Sequence, residues 1–228
     1  MTTSFFLSRR ERSDRLILYF NGWAMNSSAV VHLKIPEGYD LLCVQDYRSI
    51  DQVSQIKTTC YKSVHLVAWS MGVWAAECLH AMQCLPDLQT AVAVAGTPIP
   101  MDDGYGIPTS IFRATLANLS EENRERFNRR MCGGKEMKHL FEALRERPIV
   151  EIKQELQEVH DWCLGIAGNV ARKFYLPWDR ALVPMRDRII PATNQITYWR
   201  QRGVPVYICD ESEHYLFKDL SEWLPLLQ

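Results

Sequence analysis

The chain has 228 residues, 47% of them hydrophobic and 23% charged, with a formal net charge of −1. That length suits one α/β domain with a single insertion rather than two independent cores, and the composition excludes a disordered or low-complexity chain. The near-neutral balance argues against a generally nucleic-acid-binding surface.

Apolar runs stop short of membrane-spanning length, and the first residues lack the basic, then apolar, then small-residue order of a secretory signal. A cytoplasmic protein with no membrane or nucleic-acid partner is expected. Seven cysteines, an odd number with Cys43, Cys60, Cys132 and Cys209 scattered, read as mostly reduced and buried. Cys78, His80 and Cys84 lack a second ligand pair and spread around a helix, so no metal or cofactor is expected.

Taken in chain order, residues 15–20 form a β-rich apolar run that ends in Asn21-Gly22-Trp23, and a second run follows at 40–44. A third at 63–68 leads directly into a helical pattern over 72–83, which has apolar residues at helical spacing and no internal proline. A fourth strand is expected at 90–95. From Pro98 to Pro177 no buried strand is evident, while 120–131, 135–145 and 150–164 read as helices, with Ser120 as N-cap and Gly133-Gly134 as a break. Strands resume at 181–184 and 205–209. The alternation predicts a mostly parallel sheet flanked by helices, with residues 1–98 and 178–228 as its core and 99–177 inserted as a helical cap.

The chemistry centres on Ala68-Trp69-Ser70-Met71-Gly72. Strand, turn and helix follow one another there, which is the context of a nucleophile elbow in the α/β-hydrolase fold. A serine thrust out at such a turn has strained dihedrals, and the residues two before and two after it must be small because strand and helix pass closely. Ala68 and Gly72 meet that demand, with alanine where glycine is usual.

A serine hydrolase of this kind needs an oxyanion hole, an acid and a histidine, with serine first in the chain. The loop after residues 15–20 brings the Trp23 amide towards the nucleophile, and the Met71 amide is the second donor. Asp187 directly follows the strand at 181–184 and is preferred as the acid over Asp179, which precedes it. Of six histidines, His65 lies inside a strand, His80 on the helix after Ser70, His139 and His160 in the cap, and His32 too early. Only His214 follows both serine and acid at a strand end. The constellation predicts acyl transfer to water, with Ser70 as nucleophile, His214 as general base and Asp187 fixing its tautomer. The triad by itself leaves the leaving group open, so a general carboxylesterase or a thioesterase fits it equally, and a non-catalytic ligand-binding homologue is the remaining alternative.

Asn21-Gly22-Trp23-Ala24-Met25, the segment from Ala68 to Ala76, Gly96-Thr97-Pro98-Ile99-Pro100 with Asp103-Gly104-Tyr105-Gly106-Ile107-Pro108, and Glu213-His214-Tyr215 together resemble the BioG-type pimeloyl-[acyl-carrier protein] methyl ester esterases. The resemblance implies a carboxylesterase of biotin synthesis that releases methanol from a carrier-bound methyl ester, with Ser70, Asp187 and His214 as its triad. It also implies acyl carrier protein as partner. In the stretch 124–147, eight basic side chains oppose four acidic ones. Arg124, Arg126, Arg129, Arg130, Lys135 and Lys138 are therefore candidate docking residues for that acidic carrier, the alternative being a solvated helix of mixed charge.

Overall fold

The computed structural model describes residues 3–8, 13–50, 56, 58–133, 137–165 and 175–228. Seven strands form one sheet: β1 Thr3–Ser8, β2 Arg15–Phe20, β3 Tyr39–Gln45, β4 Ser63–Trp69, β5 Thr90–Val94, β6 Arg180–Pro184 and β7 Val206–Cys209, in spatial order β1-β3-β2-β4-β5-β6-β7. Strands β2 to β7 pair in parallel, and β1 adds to β3 antiparallel at the edge. The central strands β2 and β4 are buried from Leu16 to Phe20 and from Val64 to Trp69, as continuous apolar runs should be when helices cover both faces. The six strands expected from sequence are present, their ends shifted by at most one residue. β1 was not expected. Its strand character depends on the remote partner β3, and the short run Thr3–Ser8 carries little signal without it.

Among the described residues, six α-helices accompany the sheet: α1 Met71–Ala81, α2 Thr109–Ala117, α3 Glu121–Met131, α4 Lys138–Leu144, α5 Ile149–Leu164 and α6 Ala192–Gln201. Helix α1 is buried from Met71 to Leu79 and packs against the sheet directly behind Ser70. Helices α2 to α5 stand between β5 and β6. The Ser120 hydroxyl accepts from the Asn123 amide at 3.3 Å and starts α3 as its N-cap. Helix α4 is shorter than the 135–145 expected, and residues 134–136 lie outside the described residues.

Helices α2 and α6 are additions to the sequence reading. Each follows a proline and carries β-branched or aromatic residues of modest helix propensity, so local preference is weak. Burial stabilises them instead, through Phe112 and Leu116 in α2 and Tyr198 and Trp199 in α6. The cysteine expectation also needs correction, because only Cys43, Cys78 and Cys132 are buried while Cys60 is exposed in the turn before β4. Among the described residues no helix is long and apolar enough to cross a membrane.

Candidate active site

Parallel strands leave their carboxyl ends along one edge, and loops at such an edge are where open α/β sheets gather functional groups. The Asn21–Trp23 turn leaves β2, Ser70 leaves β4, Asp187 follows β6 and His214 follows β7, all at this edge. The Ser70 amide donates to the Val94 carbonyl at 2.9 Å, and the Asn21 amide to Val44 at 2.9 Å, so each turn begins while its strand is still paired.

Ser70 has φ 56° and ψ −121°, a conformation that strains any residue with a Cβ. Close packing over-determines it. A Cβ on Gly72 would lie 2.4 Å from the Phe20 carbonyl oxygen, and one on Gly96 would lie 2.5 Å from the oxygen of Ser70 itself. Gly72 therefore lets β2 pass against α1, and Gly96 lets the loop after β5 press on the Ser70 backbone. The second contact explains physically why the Gly96-Thr97-Pro98 segment belongs with the site.

The hydroxyl Oγ of Ser70 is 2.8 Å from Nε2 of His214, and Nδ1 of that ring is 2.8 Å from Oδ2 of Asp187. Both the imidazole and the carboxylate are almost wholly buried. A carboxylate can only accept, so Nδ1 carries the proton and Nε2 is left to accept from the serine. Asp187 has no freedom to turn away. Its Oδ1 accepts from the amides of Ile189 at 2.7 Å and Ile190 at 2.9 Å, and its Oδ2 also accepts from Nε2 of Gln195 at 2.9 Å. Gln195 lies on α6 and was not anticipated, since an amide in an unrecognised helix carries no sequence signal. Asp179, the competing acid, is at the opposite edge, where it accepts from the Ala91 amide at 2.6 Å and starts β5. His65 faces Thr90 at 2.9 Å, and His32 faces the Phe217 carbonyl at 2.9 Å.

Trp23 and Met71 line the same pocket as Ser70 and His214. Met71 opens α1, so its N–H has no intrahelical acceptor, and among the described residues the Trp23 amide has none either. The turn that carries Trp23 is held from several sides. Asn21 Oδ1 accepts from the Gly22 amide at 3.0 Å and its Nδ2 donates to the Asn26 carbonyl at 2.9 Å. The Trp23 indole donates to the Ile152 carbonyl of α5 at 2.9 Å.

A buried ionic cluster completes this support. Glu155 of α5, fully buried, accepts from the Tyr47 amide at 3.0 Å, the Ala24 amide at 3.4 Å and Arg147 at 2.9 Å. Arg147 also reaches the Met25 carbonyl at 3.3 Å and Asp46 at 3.5 Å. Burial pushes the Glu155 carboxyl up, and the Arg147 guanidinium and Tyr47 amide oppose that. No spacing rule linked Glu155 to residues about 130 positions earlier.

Helices α2, α3 and α5 line the pocket through Ile111, Phe112, Phe127, Met131 and Leu156, so most of its wall is apolar, with Thr115 as a polar exception on α2. Its free volume is small, about 30 Å³. Arg130 and Arg188 stand at its rim, exposed, and among the described residues neither has a carboxylate partner. The six basic candidates do not form one surface. Arg124 is 4% exposed and bonds Glu121 and the Arg147 carbonyl, so it is structural and unavailable to an external partner. Arg126 pairs with Glu122, and Arg129 lies 4.0 Å from Glu125. Lys135 lies outside the described residues, as does the side chain of Lys138.

A seven-stranded, mostly parallel sheet, with a strained serine at a strand-to-helix turn and histidine and aspartate at neighbouring strand ends, defines an α/β-hydrolase. The chain belongs to the BioG family, matching the family described as pimeloyl-ACP methyl esterase BioG over residues 1–226, and is a carboxylic ester hydrolase. The BioG structure from Haemophilus influenzae is 37% identical, with a TM-score of 0.81 covering 99% of this chain and 100% of that one. An esterase from Exiguobacterium antarcticum shares the fold at 17% identity, with a TM-score of 0.71 over 96% of this chain and 91% of its own. A malonyl-[acyl-carrier protein] O-methyltransferase from Bacteroides fragilis is 37% identical over 204 residues and 87% of this chain, which spans 38% of that protein's length.

Proposed function

We propose that this protein hydrolyses the methyl ester of pimeloyl-acyl carrier protein in biotin synthesis, through a Ser70-His214-Asp187 triad and an acyl-enzyme intermediate. The unbroken chain of 2.8 Å contacts from Ser70 through His214 to Asp187 carries the chemical part of this reading. Membership of the BioG family supports the substrate. The named activity of the Bacteroides fragilis relative supports it too, since a carrier-bound O-methyl ester is the kind of group such an esterase removes.

His214 Nε2 takes the Ser70 proton as Oγ attacks the ester carbonyl carbon. The Trp23 and Met71 amides receive the developing oxyanion, each such donor being worth about 3 kcal/mol. Collapse breaks the bond to the methoxy oxygen, which leaves as methanol with the proton from His214. Water then attacks the acyl-enzyme, His214 takes its proton and returns one to Ser70, and the free carboxylate departs. Residues 99–177 act as a cap that keeps water low around these charges and selects the acyl chain. Arg126, Arg129 and Arg130 of α3, exposed in the cap, are the contacts proposed for the acidic carrier in the cytoplasm.

Mass spectrometry of the carrier-bound methyl ester incubated with the enzyme tests this directly. Loss of one methyl group with the thioester retained is expected. Release of the acyl chain from the carrier overturns the reading in favour of a thioesterase. Reversing the charge of Arg126, Arg129 and Arg130 should impair the carrier-bound substrate more than a small soluble ester.

A further inference from the structure

Helix α1 begins after Ser70, and further along it Trp74, Glu77 and Cys78 line a separate cavity of about 330 Å³ that none of Ser70, Asp187 or His214 lines. Two hydrogen-bond donors on this lining have no acceptor among the described residues. Trp74 is 1% exposed, yet its indole Nε1 has no partner, and Nη1 of Arg202 is buried without one as well. We propose that this cavity is a second ligand site, for a small aromatic carboxylate whose anionic group meets Arg202 and Trp74.

A buried N–H without an acceptor loses the water it would bond when exposed, so such groups are rare and each calls for a partner. Indole and guanidinium only donate, so the ligand must bring acceptors. A carboxylate brings two oxygens and the charge that matches a guanidinium. The acids already on the lining are engaged elsewhere. Glu77 Oε2 accepts from the Trp178 indole at 2.8 Å, and burial raises its carboxyl to about 7, so below neutral pH it carries little charge to offset Arg202. Asp102 Oδ1 accepts from the amides of Gly104 at 2.8 Å and Tyr105 at 3.0 Å, within its own turn. The guanidinium of Arg202 is also fixed in advance, its central carbon lying 3.3 Å from the centre of the Tyr175 ring. The rest of the wall selects the body of the ligand. Trp74 and Trp162 meet edge to face at 5.3 Å and Tyr105 and Tyr198 at 5.9 Å, an aromatic lining against which a planar ring packs well. Ligand pockets start near about 300 Å³, so this one suits a single ring with its acid group. Tyr175 and Gln201, both exposed, mark the side on which it opens.

The site stands apart from the proposed substrate and is tested apart from it. Isothermal titration of the full chain with benzoate at about pH 6 is the measurement, with benzamide as the uncharged molecule of the same shape. Saturable binding of one benzoate, with a Kd on the order of 1 mM or tighter, is expected. Arg202→Gln should weaken it by about ten-fold or more, and Trp74→Phe, which keeps a ring and removes the N–H, by about three-fold or more. Arg200→Gln, exposed on the same helix and outside the cavity, and Ser70→Ala should bind benzoate as wild type does. Absence of saturable binding overturns the site, as does benzamide bound as tightly as benzoate, or Arg202→Gln with wild-type affinity. Benzoate that inhibits p-nitrophenyl acetate hydrolysis competitively, with an inhibition constant equal to its Kd, assigns the binding to the Ser70 pocket and overturns it too.

Discussion

The indole N–H of Trp69 donates to the backbone carbonyl of His214 at 3.0 Å, so the residue beside the proposed nucleophile holds the loop that carries its base. The rings of the two residues also pack with centroids 5.6 Å apart. Serine and histidine come from β4 and from the loop after β7, yet their separation is set through one buried side chain. Trp69→Phe keeps most of the packing and leaves the His214 carbonyl unsatisfied, a loss of about 1–3 kcal/mol. A fall in kcat of about ten-fold with little change in KM is the expected steady-state result, together with a lower Tm. An unchanged kcat would show that the carbonyl contact does not position the base.

The proposed nucleophilic role of Ser70 and its strained conformation are separable by two substitutions. Ser70→Ala keeps a Cβ at φ 56° and should lose turnover by roughly 10⁴ or more while folding normally. Ser70→Gly should be equally inactive but melt at a higher temperature than Ser70→Ala, because glycine adopts this conformation without strain of about 1 kcal/mol or more. Calorimetry of the pair decides the matter. Equal melting temperatures would mean that the turn stores no strain.

Glu155 joins α5 to the turn that carries Trp23, through Ala24 and Arg147. In Glu155→Gln the new amide faces donors, and Arg147 loses its buried counter-charge, so stability should fall by about 3 kcal/mol or more. If the cluster also sets the Trp23 amide, kcat falls about ten-fold at temperatures where the variant is still folded, with KM nearly unchanged. A variant that is less stable but kinetically normal would confine Glu155 to structure.

Glu77 provides a test by pH. It lines a second cavity of about 330 Å³, which none of Ser70, Asp187 or His214 lines, and it accepts from the Trp178 indole at 2.8 Å. Burial raises its carboxyl from 4.5 to about 7. Between those values the folded chain holds a proton that the unfolded chain has lost. The stability that this group contributes is therefore complete below about 4.5 and disappears as pH rises through about 7. Glu77→Gln keeps an acceptor for Trp178 and removes the ionisation. Its urea midpoint should match wild type near pH 4.5 and exceed it at pH 8, by an amount worth at most about 3 kcal/mol. A constant difference across that range would refute the shift.

What the residues alone determined is the set of features whose physics is local. The apolar runs that became β2 to β7, the helix at Met71–Ala81, and the small-Trp-Ser-Met-Gly turn all depend on neighbours in the chain, and they were legible. Order along the chain was enough to prefer Asp187 over Asp179 and His214 over five other histidines, because parallel strands deliver their carboxyl ends to one edge. The tertiary structure decided whatever depends on remote partners. Strand β1 exists through β3, and α2 and α6 exist through the apolar faces they bury. Gln195 and Trp69 gain their roles from buried hydrogen bonds to Asp187 and His214. Arg124, by charge a candidate for the surface, is buried instead, where Glu121 and the Arg147 carbonyl each accept from one of its terminal nitrogens. A residue's charge is local, but its partner is chosen by the fold.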